Sequence, residues 1–310
     1  VMDMLALNID RFHSINDMNG REFGNQVLRT LGEAIRAYLG ENEGLGSRTA
    51  GDRFLVYCRR PESYEAVLER VQHALDSLSQ RVSVHVRMGV CPWAEELSVR
   101  MMADRAQTAC TMVRERYLNS VMVYDEKIRE KELFDQRLLN DLHRALEERQ
   151  FLVFFQPKYK IQMDTPTLSS AEALVRWKHP ELGMVSPGSF IPLFEKNGLI
   201  HLVDLYVWEV AARRVGEWKK ATGEVLPVSV NLSRAEIFDP ELEHTLLRLI
   251  EENGLEPRDL KLEVTESAYT DNAEQLISRV NRLRELGFEI EMDVFGSGYS
   301  SLNMISSLPI

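Results

Sequence analysis

Four residues able to hold a hard divalent cation sit at or near the ends of strand-like segments in the C-terminal half of the chain. Glu172 lies in the run from Ser170 to Val175, Asn231 ends the run from Leu226, Glu263 falls between Leu260 and Thr265, and Asp293 ends the run from Phe288. All offer oxygen, the donor that hard cations prefer. A further strand-like run, Phe151 to Gln156, precedes them, and helical stretches such as Leu199 to Ala221 and Pro240 to Glu252 separate the later ones. Strands alternating with helices predict a parallel sheet or a (β/α) barrel, in which one set of strand ends converges on a single face. Strand-end Asn, Asp and Glu also cap helices and turns, each taken alone. Four in register favour a cation site.

The elements that must position such a site call for more than one domain. The chain has 310 residues, against roughly 100–200 per domain. Hydrophobic residues make up 44% and charged residues 27%, which excludes collagen-like, mucin-like and disordered classes. No apolar run approaches the roughly 20 residues of a membrane helix, so this segment is expected to span no membrane. A net charge of −11 argues against sequence-blind binding to a nucleic acid polymer, while a single anionic ligand in a local site stays compatible. Cys58, Cys91 and Cys110 are odd in number and widely spaced, the pattern of reduced thiols and not of a disulfide frame. The expected setting is cytoplasmic, or the cytoplasmic portion of an anchored protein. Val1 opens directly on a strand, so more chain is expected before it.

The fold class is α/β throughout. Leu5 to Ile9 reads as a buried strand, followed by a polar, turn-rich stretch from Asn16 to Gly20. Val27, Leu28, Leu31 and Ile35 then share one helical face. Phe54 to Tyr57 follows a turn at Gly51-Asp52 and reads as a strand; a helix runs from Ser63, its N-cap, to Leu78. Val82, Val84, Val86 and Met88 alternate as a strand, and Val121 to Tyr124 is another. These strands and helices predict a mixed-sheet domain over residues 1–125. No lysine occurs before Lys127. Residues 126–149, free of glycine and proline, carry Phe134, Leu138, Leu142, Ala145 and Leu146 as one stripe and predict a connecting helix.

The words of the remaining segment, residues 150–310, are specific. Glu172-Ala-Leu-Val-Arg176-Trp177 leads to His179-Pro180, then to Ser186-Pro-Gly-Ser-Phe190-Ile-Pro-Leu193. Val230-Asn-Leu-Ser233, Leu262-Glu-Val-Thr-Glu-Ser267 and Phe295-Gly-Ser-Gly-Tyr-Ser-Ser-Leu302 follow. In this order they closely resemble the EAL domain of bacterial cyclic di-GMP signalling. The resemblance implies a TIM-type (β/α) barrel and a phosphodiesterase that hydrolyses cyclic di-GMP to linear pGpG with Mg²⁺ or Mn²⁺. It assigns Glu172, Asn231, Glu263 and Asp293 as metal ligands, and Gln156 and Arg176 as ligand contacts. Glu266 is implied to steady the loop from Phe295 to Ser301, and with Glu172 to serve catalysis. Trp177 and Phe190 are expected in the core.

Two departures bear on activity. Val294 stands where the family has a second adjacent aspartate, which removes a carboxylate from the second metal. Ile310 falls just after the fifth strand and its loop, before the strand that bears the family's catalytic lysine, so the barrel is expected to be incomplete at its C-terminus. Phe194, where the family usually has alanine, puts local packing in question.

The first segment resembles the GGDEF (diguanylate cyclase) domain in degenerate form. Asn8-Ile-Asp10-Arg-Phe12, Asn16-Asp17, Gly20 and Gly24-Asn25 follow its opening motif, and Ala50-Gly-Asp52-Arg53-Phe54 stands at its naming hairpin. Asn8 replaces the first metal aspartate, Asn25 a guanine-contacting aspartate, and Arg53 an acidic residue of the hairpin. Asn16 and Asp52 remain. With the phosphate lysines absent, no cyclase activity is expected. Two functions stay open: an impaired cyclic di-GMP phosphodiesterase, or an inactive cyclic di-GMP receptor. A homodimer is an open partner that no residue decides.

Overall fold

Alternate side chains of the strand β1 (Met2–Ile9) enter two different apolar layers. Leu5, Leu7 and Ile9 pack with Val27, Leu28, Leu31 and Ile35 of helix α1 (Phe12–Glu41). Met4 and Ala6 face Met102, Ala106 and Cys110 of helix α3 (Val99–Met112). A strand buried on both faces must be central, and β1 sits between β3 (Arg53–Arg59) and β4 (Val86–Cys91), antiparallel to both. The sheet is completed by β2 (Gly44–Ala50) beyond β3 and by β5 (Val121–Val123) parallel to β4. Helix α2 (Tyr64–Asp76) starts at Ser63, whose hydroxyl accepts the Ala66 N–H at 3.1 Å. The computed structural model describes residues 1–78, 82–113, 121–161, 165–265 and 273–293.

Two expectations for this unit need correction, and one strand is new. The polar stretch from Asn16 to Gly20 belongs to α1 and is no loop; the helix kinks at Gly20, whose φ of 84° suits a residue without Cβ. β2 carries few apolar side chains and is almost wholly exposed, which is why pattern alone passed over it. Its hairpin with β3 turns at Gly51-Asp52, as the sequence implied. The strand expected from Val82 begins only at Val86.

The chain divides into units Val1–Leu133 and Phe134–Ile310. Helix α4 (Glu126–Glu147) carries its predicted stripe, with Leu138, Leu142 and Ala145 fully buried in the core of the second unit. There β6 (Phe151–Lys160) and β7 (Thr167–His179) form an antiparallel hairpin, with β8 (Gly183–Val185) against the end of β7. Helices α5 (Pro187–Lys196) and α6 (Ile200–Thr222) lead to β9 (Val228–Leu232), parallel to β7. A short α7 (Arg234–Ile237) and α8 (Leu242–Asn253) lead to β10 (Leu260–Thr265). Helix α9 (Ala273–Glu285) then leads to β11 (Ile290–Asp293). The sheet order is β11-β10-β9-β7-β6. Its opening hairpin departs from the all-parallel alternation; the later strands obey it.

Among the described residues the expected core residues are in place. Phe151, Trp177, Phe190 and Phe194 are buried together, with ring centroids 4.9 to 6.0 Å apart. Phe194 is therefore accommodated and fills the cluster. Trp177 donates its indole N–H to Gln150 Oε1 at 3.0 Å, so this large apolar ring leaves no buried donor unmet.

Candidate functional site at the strand ends of the second unit

Parity along the strands divides this sheet chemically. Ala171, Ala173, Val228, Val230, Leu232, Leu260, Leu262 and Val264 are buried in the apolar core. The alternate positions, Gln156, Lys158, Glu172, Ser229, Asn231, Lys261, Glu263 and Glu291, share the opposite, polar face. The pairings are direct: Gln156 lies opposite Glu172, Glu172 opposite Ser229, and Asn231 opposite Glu263. Asp293 ends β11 in register with Thr265. Glu266, Val294 and the run from Phe295 to Ser301 lie outside the described residues.

A cavity of about 320 Å³ opens at the ends of β7 and β9. It is lined by Glu172, Arg176, Glu195, Asp204, Asn231 and Ser233, with apolar walls such as Leu174, Ile191 and Val207. Three predicted residues, Glu172, Arg176 and Asn231, thus share one wall system of a size suited to a small ligand. Glu263 is not part of that lining. It lies 5% exposed on the polar face, its Oε1 accepting a 2.8 Å hydrogen bond from Lys158 Nζ.

Lys158 organises the centre of this face. Its ammonium also reaches Glu291 Oε2 at 3.0 Å and Ser229 Oγ at 3.2 Å. Lys261 donates to Glu291 Oε1 at 3.0 Å. Burial would raise the Glu291 pKa, but hydrogen bonds from Ser229, Lys158 and Lys261 outweigh it and hold the carboxyl down at about 2. Sequence reasoning passed over Lys158 and Glu291. The signal was available in parity, because both share strand faces with predicted ligands.

The donors fit a hard divalent ion in kind, being carboxylate and amide oxygens on one face. Among the described residues no three His, Cys, Asp or Glu side chains converge closely enough to form a cage. Arg176 donates to its neighbour Val175 O at 2.8 Å, and among the described residues it forms no ion pair that would tie it up. Asn231 is anchored from behind: Trp208 of α6 donates its indole N–H to Asn231 O at 3.0 Å.

The first unit places its predicted residues differently. Asn8 and Arg53 are direct strand partners and line a second cavity of about 320 Å³ with Phe54, Asp104, Gln107 and Thr108. Asn16 and Asn25 are on α1 and Asp52 is in the β2–β3 turn, none lining that cavity. Asn16 packs against Gly24, where a Cβ would collide with its Oδ1. Asp10 is ion-paired with Arg87. Burial raises the Asp52 pKa, with only partial relief from backbone hydrogen bonds and Arg53.

The EAL domain model matches residues 139–310, more than half of the chain. The chain belongs to the EAL family. Ahead of the EAL domain, residues 1–120 match the "Diguanylate cyclase, GGDEF domain" model, so the two domains stand in tandem. The chain is 29% identical over 99% of its length to MucR of Pseudomonas aeruginosa, described as a bifunctional diguanylate cyclase/cyclic di-GMP phosphodiesterase, and covers 45% of that protein. It is 31% identical to the cyclic di-GMP phosphodiesterase NbdA of the same organism, over 99% of this chain and 40% of that one. The chain thus spans less than half the length of these relatives. In structure the EAL domain resembles the PaMucR phosphodiesterase in its c-di-GMP complex, with a TM-score of 0.52 and 36% identity over 56% of this chain and 69% of that one. The Vibrio cholerae LapD S helix-GGDEF-EAL structure shares the fold of 99% of the chain and covers 73% of that one, at a TM-score of 0.59 and 15% identity. The mixed-sheet and TIM-barrel-like architecture of the EAL family is therefore established for this chain. No helix among the described residues is long and apolar enough to cross a membrane.

Proposed function

We propose that the EAL domain binds cyclic di-GMP at the strand-end cavity and hydrolyses it slowly to pGpG, while the GGDEF domain makes none. The observation that carries this reading is the shared lining of one cavity by Glu172, Arg176 and Asn231, with Gln156 opposite Glu172 in the hairpin. The Arg176 guanidinium suits two phosphate oxygens. Gln156 offers a neutral amide to the rest of the nucleotide. Glu172, Asn231, Glu263 and Asp293 would hold Mg²⁺ or Mn²⁺, which when bound activates a water and offsets charge developing on the phosphate. Glu266 is the proposed support of the following loop.

A second reading, a receptor without turnover, has its own observations. Val294 supplies no oxygen to a second cation, and the Lys158 ammonium already engages Glu263. Turnover of cyclic di-GMP followed as pGpG, with Mg²⁺ or Mn²⁺, separates the two. Slow turnover that Glu172→Ala abolishes and Val294→Asp increases supports the enzyme. Binding without turnover until Val294→Asp makes the protein a receptor. No binding in either protein ends the cyclic di-GMP reading.

A further inference from the structure

Behind the proposed metal ligand Asn231 lies a group of acids that have too few protons to satisfy them. Glu236, on α7, is 5% exposed. Its Oε2 accepts the Ser233 N–H at 3.1 Å and the Ser233 hydroxyl in a short contact. Its Oε1 is buried and receives no N–H or O–H from any described residue. Asp204, on α6, contacts both Glu236 and Ser233 through its carboxyl group. The Ser233 hydroxyl carries one proton and cannot serve two carboxylates at once. Two carboxylates in contact are held together only when one of them supplies a proton.

We infer that Asp204 is a positioning residue, a carboxylic acid whose proton bridges to Glu236 Oε1 and so fixes the turn that presents Asn231 to the ligand cavity. The geometry gives the bridge leverage. Asp204 and Trp208 are four residues apart on α6, one helical turn, and therefore on the same face. Trp208 holds the Asn231 carbonyl, while Asp204 reaches Ser233 and Glu236 just beyond it. One face of α6 thus grips both sides of the turn from Asn231 to Ser233. Loss of the proton would place two like charges in contact at its base, with a third, Glu195 of α5, raising the cost. Glu172 and Arg176 line the same cavity from β7. Among the described residues Arg176 is the sole cationic side chain in the lining.

Burial, the first cause, and then the negative charge of Glu236 push the Asp204 pKa well above the usual carboxylate range. A raised pKa means that the folded chain holds a proton the unfolded chain has released. The folded state then loses stability as pH climbs from the ordinary carboxylate range through the raised value. The turn should therefore be firm in acid solution and loosen as pH climbs through the raised Asp204 value.

Three measurements on the full chain test this. Infrared spectroscopy above the ordinary carboxylate range, and below the pH at which the Ser233 amide titrates, should show a protonated carboxylic acid band that Asp204→Asn removes. In NMR titration the Ser233 backbone amide should move with pH in the natural protein and stay still in Asp204→Asn, whose amide group donates permanently in place of the acid. Glu236→Gln, which supplies a donor from the other side and removes the neighbouring charge, is the second variant should Asp204→Asn fold poorly; it should move the titration to lower pH. The third measurement rests on the proposed function: affinity for cyclic di-GMP with Mg²⁺ should fall on the order of tenfold, the effect of one pKa unit, across the pH range in which the Ser233 amide titrates in the natural protein, and change less than about twofold over that range in either variant. Absence of the acid band, or a Ser233 amide that does not titrate in the natural protein, overturns the shared proton whether or not ligand binds. A titrating amide beside pH-independent affinity overturns the positioning role. Lack of cyclic di-GMP binding at every pH fails the proposed function, and the Ser233 amide then decides the positioning role by itself.

Discussion

Two cavities lined by predicted site residues, one in each unit, have the same volume, about 320 Å³ each, and different chemical endowments. In the EAL unit, Glu172 and Arg176 line the space from β7 and Glu195 and Asp204 from helices α5 and α6, and the arginine is not spent on an ion pair among the described residues. In the GGDEF unit, Asn8 stands across from Arg53, so the wall that would need negative charge for a cation presents an amide and a guanidinium. Asp10 beside it is committed to Arg87. The contrast teaches that a cavity's volume and the charges that line it are set by different residues. Shape is maintained by the apolar layers, which both units have; the chemistry of each cavity depends on a few polar positions in its lining.

The largest test of this contrast concerns the polar face of the EAL unit as a stabilising network. Glu291 is held down at about 2 by Ser229, Lys158 and Lys261. A depressed carboxyl stabilises the fold above its unfolded pKa, and that contribution is lost as pH falls towards 2. The shift corresponds to about 3 kcal/mol at neutral pH. Denaturant midpoints between about pH 5 and pH 2 should fall steeply for the natural chain and much less for Glu291→Gln. A parallel fall in both would show that the network contributes nothing. Next in size is the difference between the arginines. Arg176→Ala should weaken cyclic di-GMP binding by about 2 kcal/mol, the scale of a charged hydrogen bond, whereas Arg53→Ala should leave the affinity as it was. Titration calorimetry on the two variants reads this directly, and equal losses would erase the contrast. The smallest effect is local to the GGDEF unit: Ser63→Ala removes the cap of α2 and should cost about 1 kcal/mol in its melting transition, with no change in ligand affinity.

Much of the fold was legible because the apolar pattern is regular. β6, β7, β9, β10 and β11 were located to within a few residues, since buried strands read as short apolar runs, whereas the three-residue β8 was passed over. The exceptions have separate causes. The stretch from Asn16 to Gly20 is rich in turn-forming residues, yet tertiary packing of Ile15 and Gly24 carries the helix through it with a kink. β2 is an edge strand with little to bury, and its ladder to β3 specifies it more than its side chains do. In the site, Glu172, Arg176 and Asn231 were readable as words, whereas Lys158, Asp204 and Glu236 were not. An acid at position 204, between Ile200 and Trp208, interrupts an otherwise apolar face of α6. Its meaning appears only when α6 is set against the turn after β9.

The opening hairpin has a consequence for how the site assembles. Gln156 and Glu172 become neighbours by closing a local turn between adjacent antiparallel strands. Asn231 and Glu263 can join them only after successive helical crossovers have wound back onto the sheet. Local contacts form faster than distant ones because less chain entropy must be lost first. Gln156 and Glu172 should therefore meet early in folding, and the arrival of β9 should set the moment at which the cavity closes around them. Substitutions in the hairpin would then be felt mainly in the rate of folding, and those at the base of β9 mainly in the rate of unfolding.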